Sequence, residues 1–243
     1  MAVASRRAQA VIVVTGASRG LGAGLAETFR AAGHRLGVCS RSHPALSEGP
    51  DVVASLVDVT DPESVEAFAA AVHGRLGPID LWVNNAGILG PIQPIRNAPP
   101  PEVATNLAVN VLGVVHGTQS FLRHRADGAV LVNISSGAAT SAYPGWGAYC
   151  ASKAAVEQFT AVVAAEEPGI RSYAVAPGVV DTDMQAEIRA TPAERFAQVE
   201  RFRDLKRHDA FNSPAWVARQ LLDLAFGDVR PADHRWRIPD EPR

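Results

Sequence analysis

The sequence of 243 residues is poor in cysteine and contains no long apolar run. Its two cysteines, Cys39 and Cys150, are too few and too irregularly placed for a disulfide framework or a zinc site. Few cysteines fit a reducing compartment, so we expect a cytoplasmic protein. No stretch approaches the roughly 18 apolar residues that a membrane-spanning helix needs, so we expect no membrane partner.

Neither sign of charge is in excess, because 23 basic residues face 25 acidic ones and no block of like charges occurs. The usual electrostatic signature of nucleic-acid binding is therefore missing, and we expect no nucleic-acid partner. None of the seven histidines stands at a metal-ligand spacing from a carboxylate or a cysteine. The sequence thus predicts no metal site.

Short apolar runs alternate with longer helical patterns, which is typical of strand-helix-strand units around a parallel sheet. Continuous rather than alternating apolar strands indicate a sheet covered by helices on both faces. The predicted strands are Ala10–Thr15, Leu36–Ser40, Val52–Val57, Leu81–Asn84, Ala129–Ile134 and Ser172–Ala176. The predicted helices are Leu21–Ala32, Pro62–Gly74, Val103–His124, Ala148–Glu167 and Pro214–Phe226.

No repeat, linker or low-complexity tract divides the chain, so we predict one α/β domain over residues 1–243. Two segments interrupt the alternation. Gly90–Pro101 contains five prolines and is predicted to be an irregular loop. Residues 182–212 are charged, helical in pattern and follow a strand end, where α/β folds bind ligands. We interpret them as a substrate lid, with a plain surface helix pair as the alternative.

A glycine-rich segment follows the first strand and opens directly onto a helix. It runs Thr15-Gly16-Ala17-Ser18-Arg19-Gly20-Leu21-Gly22. Glycines permit a tight turn, and the unpaired N–H groups of a helix N-terminus attract a pyrophosphate. The spacing of Gly16, Gly20 and Gly22 differs from the general dinucleotide fingerprint.

This spacing resembles that of the short-chain dehydrogenase/reductase family. The resemblance covers nearly the whole chain and recurs in Asn84-Asn85-Ala86-Gly87, Asn110, Ser136, Tyr149 with Lys153, and Pro177-Gly178. It implies a Rossmann-type doubly wound parallel sheet of about seven strands. It also implies an NADP(H)-dependent oxidoreductase that acts on a small-molecule carbonyl compound.

The family's site residues carry over position by position. The implied catalytic residues are Asn110, Ser136, Tyr149 and Lys153. The implied cofactor-binding residues are Gly16, Ser18, Arg19, Gly20, Leu21, Gly22, Ser40, Arg41, Asp58, Val59, Asn85, Ala86, Gly87, Tyr149, Lys153, Pro177, Gly178, Val180 and Thr182. Asn110 would hold a water that relays protons to Lys153, with a plain surface asparagine as the alternative.

The end of the second strand bears on cofactor choice. An NAD-specific site would place an acid there to hold the ribose 2'-hydroxyl, and the sequence has Ser40 and Arg41 instead. A hydroxyl and a forked cation suit a 2'-phosphate, and Arg19 can reach the same charge. We therefore predict NADPH rather than NADH, with a solvent-facing Arg41 as the alternative.

Tyr149 and Lys153 are four residues apart in a helical pattern, so they share one helix face. Lysine is unusual in this chain, which has only two among 23 basic residues. A neighbouring ammonium favours the phenolate, so we expect Lys153 to lower the pKa of Tyr149. Ser136 would donate to the same substrate oxygen. Ser135 is its rival, and the family spacing selects Ser136.

A closer resemblance, within the family, is to sepiapterin reductases and to microbial reductases of benzil-type 1,2-diketones. It lies in the segments 145–153, 166–168 and 176–185. Tyr143, Trp146 and Met184, together with Ser136, would contact such a substrate; core packing is the alternative for the first three. Pterin reduction implies a carboxylate near the C-terminus, for which Asp240 is the candidate.

Two other functions stay open at this point. A reductase of the same family that acts on acyl thioesters or sugars would share every catalytic residue. A non-catalytic NADP-binding regulatory protein would keep the glycine loop and could lose the catalytic residues, all of which are present here. The family resemblance also implies a homodimer or homotetramer, paired through the helices predicted at 103–124 and 148–167. The second of these helices carries an apolar set that a partner could bury: Ala154, Ala155, Phe159, Val162 and Val163.

Overall fold

A computed structural model describes residues 9–242, so the predicted domain extends beyond the described part at both ends. The strands are β1 Val11–Thr15, β2 Arg35–Ser40, β3 Val52–Leu56, β4 Ile79–Asn84, β5 Arg125–Ile134, β6 Arg171–Ala176 and β7 Arg235–Arg237. The helices are α1 Gly20–Ala31, α2 Pro62–Leu76, α3 Pro100–Leu107, α4 Gly113–His124, α5 Gly147–Glu166, α6 Asp183–Ala190, α7 Val199–Arg207 and α8 Pro214–Phe226.

The strands form one parallel sheet in the order β3-β2-β1-β4-β5-β6-β7. The order reverses between β1 and β4, where the chain crosses from one half of the sheet to the other. In such folds the ligand crevice lies at this switch point, beyond the carboxyl ends of the strands. The predicted doubly wound Rossmann-type fold is confirmed.

Alternate residues of the inner strands pack against helices on opposite faces of the sheet. On one face Ile12 of β1 lies in a cluster with Phe29 of α1 and Leu221 of α8. On the other face Val13 lies with Phe68 of α2 and Phe121 of α4. Burial on both faces explains why these strands are continuously apolar in sequence.

The sequence predicts the larger elements well and two features poorly. The six predicted strands are confirmed within a few residues, and α8 begins, as expected, after Ser213, whose side chain accepts a hydrogen bond from the Trp216 N–H at 3.0 Å. The seventh strand, β7, was not among the predicted segments. It has only three residues and two of them are exposed, so it leaves no apolar run in the sequence.

The helix predicted from Val103 to His124 is present, but it begins earlier and contains a π-helical turn. The helix α3 already begins at Pro100, inside the segment predicted to be a loop. Proline is tolerated there because the first turn of a helix needs no N–H partner. Between α3 and α4, residues Ala108–Leu112 are π-helical. Such insertions are frequent at functional sites, and this one contains Asn110.

The helices α6 and α7 lie within the predicted lid segment, after β6. Buried side chains of this segment pack against Trp146 and Tyr149 at the start of α5: Ile188 of α6, Phe202 of α7 and Phe196 between the two helices. The segment is therefore packed against the chain just beyond the carboxyl end of the sheet. Within residues 9–242 no helix combines the length and the apolar character required to cross a bilayer.

Candidate active site

The glycine loop connects β1 to α1 at the carboxyl edge of the sheet. Gly16 has a φ of +68°, and a Cβ added there would lie 2.7 Å from the Cα of Ala86. A Cβ on Gly22 would lie 2.3 Å from the carbonyl oxygen of Gly16. Side chains at these two positions would push the loop away from its neighbours. Glycine therefore leaves the N-terminal N–H groups of α1 accessible to an anionic ligand.

The loop after β4 is bonded directly to the glycine loop. The Asn85 side chain donates to the carbonyl oxygens of Thr15 at 2.9 Å and of Gly16 at 3.2 Å. The Thr15 hydroxyl accepts the N–H groups of Asn85 at 3.0 Å and of Ala86 at 3.1 Å. Asn85, Ala86 and Gly87 thus form a fixed wall of the crevice.

Ser40 and Arg41 at the end of β2 face the same crevice as Asp58, which follows β3. The Ser40 hydroxyl donates to the carbonyl oxygen of Ser42 at 2.6 Å, so toward a ligand it can only accept. The Thr60 N–H, as the largest cause, and the Arg41 guanidinium lower the pKa of Asp58. Arg41 itself is exposed and has no ion-pair partner among the described residues.

Arg19 of the glycine loop is paired with Asp183 on the lid helix α6, at 3.0 Å. Both side chains are about three-quarters exposed, at 78% and 73%. An exposed ion pair contributes roughly 0–1 kcal/mol, so this pair does not prevent Arg19 from binding a ligand phosphate. It does link the glycine loop to the lid.

Asn110 is fully buried in the π-helical segment. Its Oδ1 accepts the Ile88 N–H at 2.9 Å, and its Nδ2 donates to the Ile88 carbonyl oxygen at 2.8 Å. Nδ2 also lies 3.1 Å from the Ser152 Oγ and 3.2 Å from the Asn106 Oδ1. Of the four predicted catalytic residues, Asn110 alone does not line the crevice. Its side chain instead holds the loop after β4 against α5.

Asn106 is a residue that the sequence analysis missed. It is fully buried, and its Nδ2 donates to the carbonyl oxygens of Leu89 at 3.1 Å and of Gly90 at 2.7 Å. The signal was its position four residues before Asn110, on the same helix face. The two amides together support the chain from Ile88 to Gly90.

Ser136, Tyr149 and Lys153 come together at the carboxyl end of β5. Tyr149 lies in the first turn of α5, and the Ser136 hydroxyl is close enough to it to lower its pKa. Lys153, one helical turn further, has its Nζ 5.6 Å from the centre of the Tyr149 ring. The same Nζ donates to the carbonyl oxygen of Ile134 at 2.8 Å.

Ser135 and Ser136 have different partners. The Ser135 hydroxyl is buried and donates to the Glu157 carboxylate at 2.9 Å, away from Tyr149. The Ser136 Oγ accepts the Ala138 N–H at 3.2 Å and lies beside Tyr149. Successive residues of an extended chain point to opposite sides, which separates the two hydroxyls.

Burial is the largest cause of the pKa shifts of Tyr149 and Lys153 on α5. It raises the pKa of Tyr149 to about 12, against the opposing effect of the Ser136 hydrogen bond. It lowers the pKa of Lys153 to about 8. The expectation that Lys153 lowers the pKa of Tyr149 is wrong here, because desolvation of the phenolate is the largest cause and the Lys153 ammonium is not among the groups that act on this pKa. At neutral pH Tyr149 therefore carries its proton and Lys153 is mostly charged.

The outer part of the crevice is aromatic. Trp146 is stacked between Tyr143, at 4.8 Å between ring centres, and Phe196, at 4.6 Å. It meets the Tyr149 ring edge-on at 5.8 Å and Phe202 at 5.3 Å. The lid thus supplies Phe202 to walls that the sequence analysis assigned to Tyr143, Trp146 and Met184, whereas Phe196 is fully buried and packs on Trp146 from outside the cavity.

The loop after β6 closes the far side of the crevice. Gly178 has a φ of +77°, and a Cβ there would lie 2.6 Å from the Asn212 Nδ2. The Asn212 Nδ2 donates to the Pro177 carbonyl oxygen at 2.9 Å. The last residue of the lid segment is therefore attached to this loop, which also contributes Val180 and Thr182 to the lining.

These parts enclose one cavity of about 1110 Å³. It is lined by every residue predicted to contact the cofactor or the substrate. Asp240 does not line this cavity, and its side chain is 88% exposed. It lies 3.8 Å from Arg237, which is a lining residue. The proposal that Asp240 contacts a ligand therefore finds no support in the structure, because the chain turns its carboxylate toward solvent.

Several lining residues were missed by the sequence analysis. They include Ser42, His43, Gln185, Glu187, Ile188, Arg201, Phe202 and Arg237. Ser42 and His43 directly follow Arg41 and could have been included on that ground. Arg201, Phe202 and Arg237 carry no local signal, because only the return of the lid and of β7 to the crevice brings them there. Within residues 9–242 no group of three His, Cys, Asp or Glu side chains could hold a metal ion.

Curated relatives resemble the chain over nearly its full length. A benzil reductase ((S)-benzoin forming) of Bacillus cereus is 33% identical over 247 residues, covering 94% of this chain and 99% of the relative. A sepiapterin reductase of Meriones unguiculatus is 34% identical, covering 90% of this chain and 92% of the relative.

Solved structures share the fold. The KRED1-Pglu enzyme superposes with a TM-score of 0.86 at 34% identity, covering 93% of this chain and 99% of the other. A short chain dehydrogenase from Burkholderia cenocepacia in complex with NADP gives 0.77 at 26% identity, covering 96% and 97%. Residues 10–193 match the family model for short chain dehydrogenases. The chain therefore belongs to the short-chain dehydrogenase/reductase family and is an oxidoreductase.

Proposed function

We propose that this enzyme is an NADPH-dependent carbonyl reductase in which Tyr149, Ser136 and Lys153 act on the substrate oxygen. One observation carries the proposal: Tyr149, Ser136 and Lys153 line the same cavity, with the Lys153 Nζ 5.6 Å from the centre of the Tyr149 ring and the Ser136 hydroxyl close enough to Tyr149 to act on its pKa. Two hydroxyl donors at one point suit a carbonyl oxygen that gains negative charge.

The residues around the crevice fit a dinucleotide. A Cβ at Gly16 or Gly22 would displace the loop that approaches the pyrophosphate, and the cavity is large enough for a cofactor and a substrate together. The glycine loop would hold the pyrophosphate, Asp58 and Val59 the adenine, and Asn85 to Gly87 the adenosine ribose. When bound, the reduced nicotinamide supplies a hydride.

In this proposal Tyr149 is the proton donor. Its raised pKa keeps the phenol protonated at neutral pH, and it transfers that proton to the carbonyl oxygen. Ser136 donates a hydrogen bond to the same oxygen, and the Lys153 ammonium stabilises the tyrosinate that results. Asn110 acts as a positioning residue, because it holds Ser152, whose Oγ donates to the Tyr149 carbonyl oxygen at 2.9 Å.

The charges at the end of β2 support NADPH over NADH. Arg41 is exposed, lines the cavity and has no ion-pair partner among the described residues, so its guanidinium is free for a 2'-phosphate. The Ser40 hydroxyl adds nothing to this preference, contrary to the expectation from the sequence, because it donates its proton to the Ser42 carbonyl oxygen and a phosphate needs a donor. Arg19 would exchange Asp183 for the phosphate at little cost.

The aromatic walls support a flat substrate, and we propose a vicinal dicarbonyl compound of the benzil type. Tyr143 and Trp146 line the cavity, and the Trp146 ring is in contact with that of Tyr149. Relatives named for benzil and for sepiapterin agree with a flat dicarbonyl. Sepiapterin itself is the weaker candidate, because Asp240 lies outside the cavity and Arg237 lines it instead.

We further propose that residues 1–243 form one domain, with residues 182–212 as its substrate lid. The packing of Phe196 and Phe202 on Trp146 supports a lid over the aromatic part of the crevice. Both cysteines are free, which agrees with the proposed cytoplasmic location.

The proposal is tested by following the oxidation of NADPH and of NADH with benzil and a panel of other ketones. We expect benzil reduction with a strong preference for NADPH. Arg41→Asp should lower kcat/KM for NADPH by roughly tenfold or more and spare that for NADH. Arg96→Asp makes the same charge change on an exposed turn outside the cavity and serves as the control. Equal use of both cofactors by the unmodified enzyme would contradict the NADPH assignment.

A further inference from the structure

The helix α7 carries four basic side chains, and among the described residues 9–242 only one of them lacks an acidic partner. Arg203 pairs with Glu200, Arg207 with Asp204, and the Lys206 Nζ lies 2.6 Å from Asp181.

Arg201 is the exception. Its guanidinium makes no ion pair within residues 9–242, and of the four basic side chains on α7 it alone lines the cavity. The Arg201 Nη1 donates a long hydrogen bond of 3.4 Å to the Tyr143 hydroxyl oxygen. The other three basic side chains of α7 are paired with acidic neighbours, whereas Arg201 faces the cavity without an acidic partner among the described residues.

Arg201 stands at the outer end of the row of rings that begins at the reacting tyrosine. Tyr149 meets Trp146 edge-on, Trp146 stacks on Tyr143, and the Tyr143 hydroxyl meets Arg201. A flat substrate whose carbonyl oxygen reaches Tyr149 would therefore extend along these rings toward the guanidinium.

The remaining charges on this side of the cavity do not neutralise Arg201. Asp183 is paired with Arg19, and Arg237 lies near Asp240. Glu187 on α6 is exposed and forms no ion pair among the described residues.

We propose that Arg201 and the Tyr143 hydroxyl form a subsite for a carboxylate, so that the preferred substrate is an aromatic dicarbonyl compound bearing an acidic group remote from the reacting carbonyl. This rests on the proposed carbonyl reduction and refines its substrate class. A guanidinium binds a carboxylate through two parallel hydrogen bonds, and the phenol adds a third donor.

The test compares benzil with benzil that carries a carboxylate at the para position of one ring. For the unmodified enzyme we expect a higher kcat/KM with the carboxylated compound. In Arg201→Gln the ratio of the two kcat/KM values should fall about tenfold, the effect of one charge-assisted hydrogen-bonded pair at a partly exposed site. Arg207→Gln removes the same charge from the same helix outside the cavity, and its ratio should stay unchanged. The preference should weaken at high salt.

A ratio that is equal in Arg201→Gln and the unmodified enzyme, or a preference for an ammonium-bearing analogue, would overturn the subsite. Calorimetric binding of both compounds in the presence of NADP⁺ separates this question from turnover. If neither compound is reduced, the proposed function fails. Tighter binding of the carboxylated compound, lost in Arg201→Gln, would still support the subsite, and equal binding would overturn it.

Discussion

At the scale of single residues, the proposed chemistry depends on two buried groups that lie one helical turn apart. Tyr149 and Lys153 are 8% and 5% exposed, and burial moves their pKa values apart, to about 12 and about 8. Each is thereby pushed toward its neutral form. Tyr149 keeps the proton that reduction consumes, and Lys153 holds its charge only up to mildly alkaline pH.

Removal of the Tyr149 hydroxyl should abolish most of the turnover. Tyr149→Phe keeps the packing on Trp146, and we expect a loss of roughly 10²- to 10⁴-fold in kcat while NADPH still binds. Ser136→Ala should cost roughly 10²- to 10³-fold. The double variant should lose less than the product, because both hydroxyls act on one oxygen. Steady-state kinetics and cofactor fluorescence provide the measurements.

Tyr173→Phe is the matched control, since Tyr173 is equally buried, at 8% exposed, but lies on β6 outside the cavity. It should retain turnover within a few-fold of the unmodified enzyme. Normal turnover by a folded Tyr149→Phe protein would remove Tyr149 from the mechanism.

The pKa of Lys153 predicts how the reduction depends on pH. Above about pH 8 the ammonium loses its proton, and with it the charge that stabilises the tyrosinate. We expect kcat/KM for the ketone to be level below pH 8 and to fall about tenfold per pH unit above it. Lys153→Arg should be much less active, because a planar fork replaces a compact ammonium, and should show no such fall. A level profile up to pH 10 in the unmodified enzyme would contradict this role.

At the scale of elements, the C-terminal segment anchors the lid. The Asn212 Oδ1 accepts the Glu241 N–H at 2.8 Å, and the Glu241 carboxylate accepts the Ser213 N–H at 2.7 Å and its hydroxyl at 3.1 Å. The Asn212 N–H donates to the Val179 carbonyl oxygen at 2.8 Å. Through these bonds the end of the lid segment, the loop after β6 and the start of α8 are held together.

Truncation of that carboxylate should loosen the lid. Glu241→Ala leaves the Ser213 N–H without its charged acceptor, at a cost of about 1.5–3 kcal/mol. For a chain of this size we expect the Tm to fall by roughly 3–12 °C and KM for the ketone to rise. Thermal unfolding, ketone kinetics and limited proteolysis within residues 183–212 would measure this.

Asp240→Ala is the control, because Asp240 is an exposed acid next to Glu241. It should shift the Tm by no more than about 1 °C. Equal shifts in the two variants would show that Glu241 has no special part in holding the lid.

At the scale of the whole molecule, we propose that α4 and α5 pair two copies of the chain. Three large apolar side chains are exposed on these helical segments: Leu107 of α3 at 38%, Leu112 of the π-helical segment at 50% and Val162 of α5 at 42%. Ala154 and Ala155 are also exposed, whereas Val163 is already buried in this chain's core. The apolar surface that a partner could cover is thus smaller than the sequence analysis assumed, but it is present on both sides of the proposed contact.

Light scattering at micromolar concentration should give the mass of two or four chains. Val162→Glu should shift the population toward smaller species, because it places a charge in the proposed contact. Leu56→Glu introduces the same charge at another exposed leucine, 58% exposed on the edge strand β3, and should not change the mass. A monomer mass for the unmodified protein would rule out this assembly.

The sequence by itself determined the sheet, its order of elements and most of the cavity lining. Continuous apolar runs identify strands because burial on both faces leaves no polar side, and glycine positions identify the cofactor loop because no side chain fits there. Ser136, Tyr149 and Lys153 were recognisable because their types and spacings resemble a family pattern, not because the sequence states their distance.

Only the tertiary structure decided which side chains have hydrogen-bond or ion-pair partners and which face the cavity. Asn110 is hydrogen-bonded to Ile88, and Arg19 is paired with Asp183. Asp240 lies in solvent. The pKa of Tyr149 followed burial rather than its neighbour Lys153. Arg201 and Phe202 reach the cavity from far along the chain. Desolvation, charge pairing and lid packing all depend on distances between segments remote in sequence, which spacing along a chain does not encode.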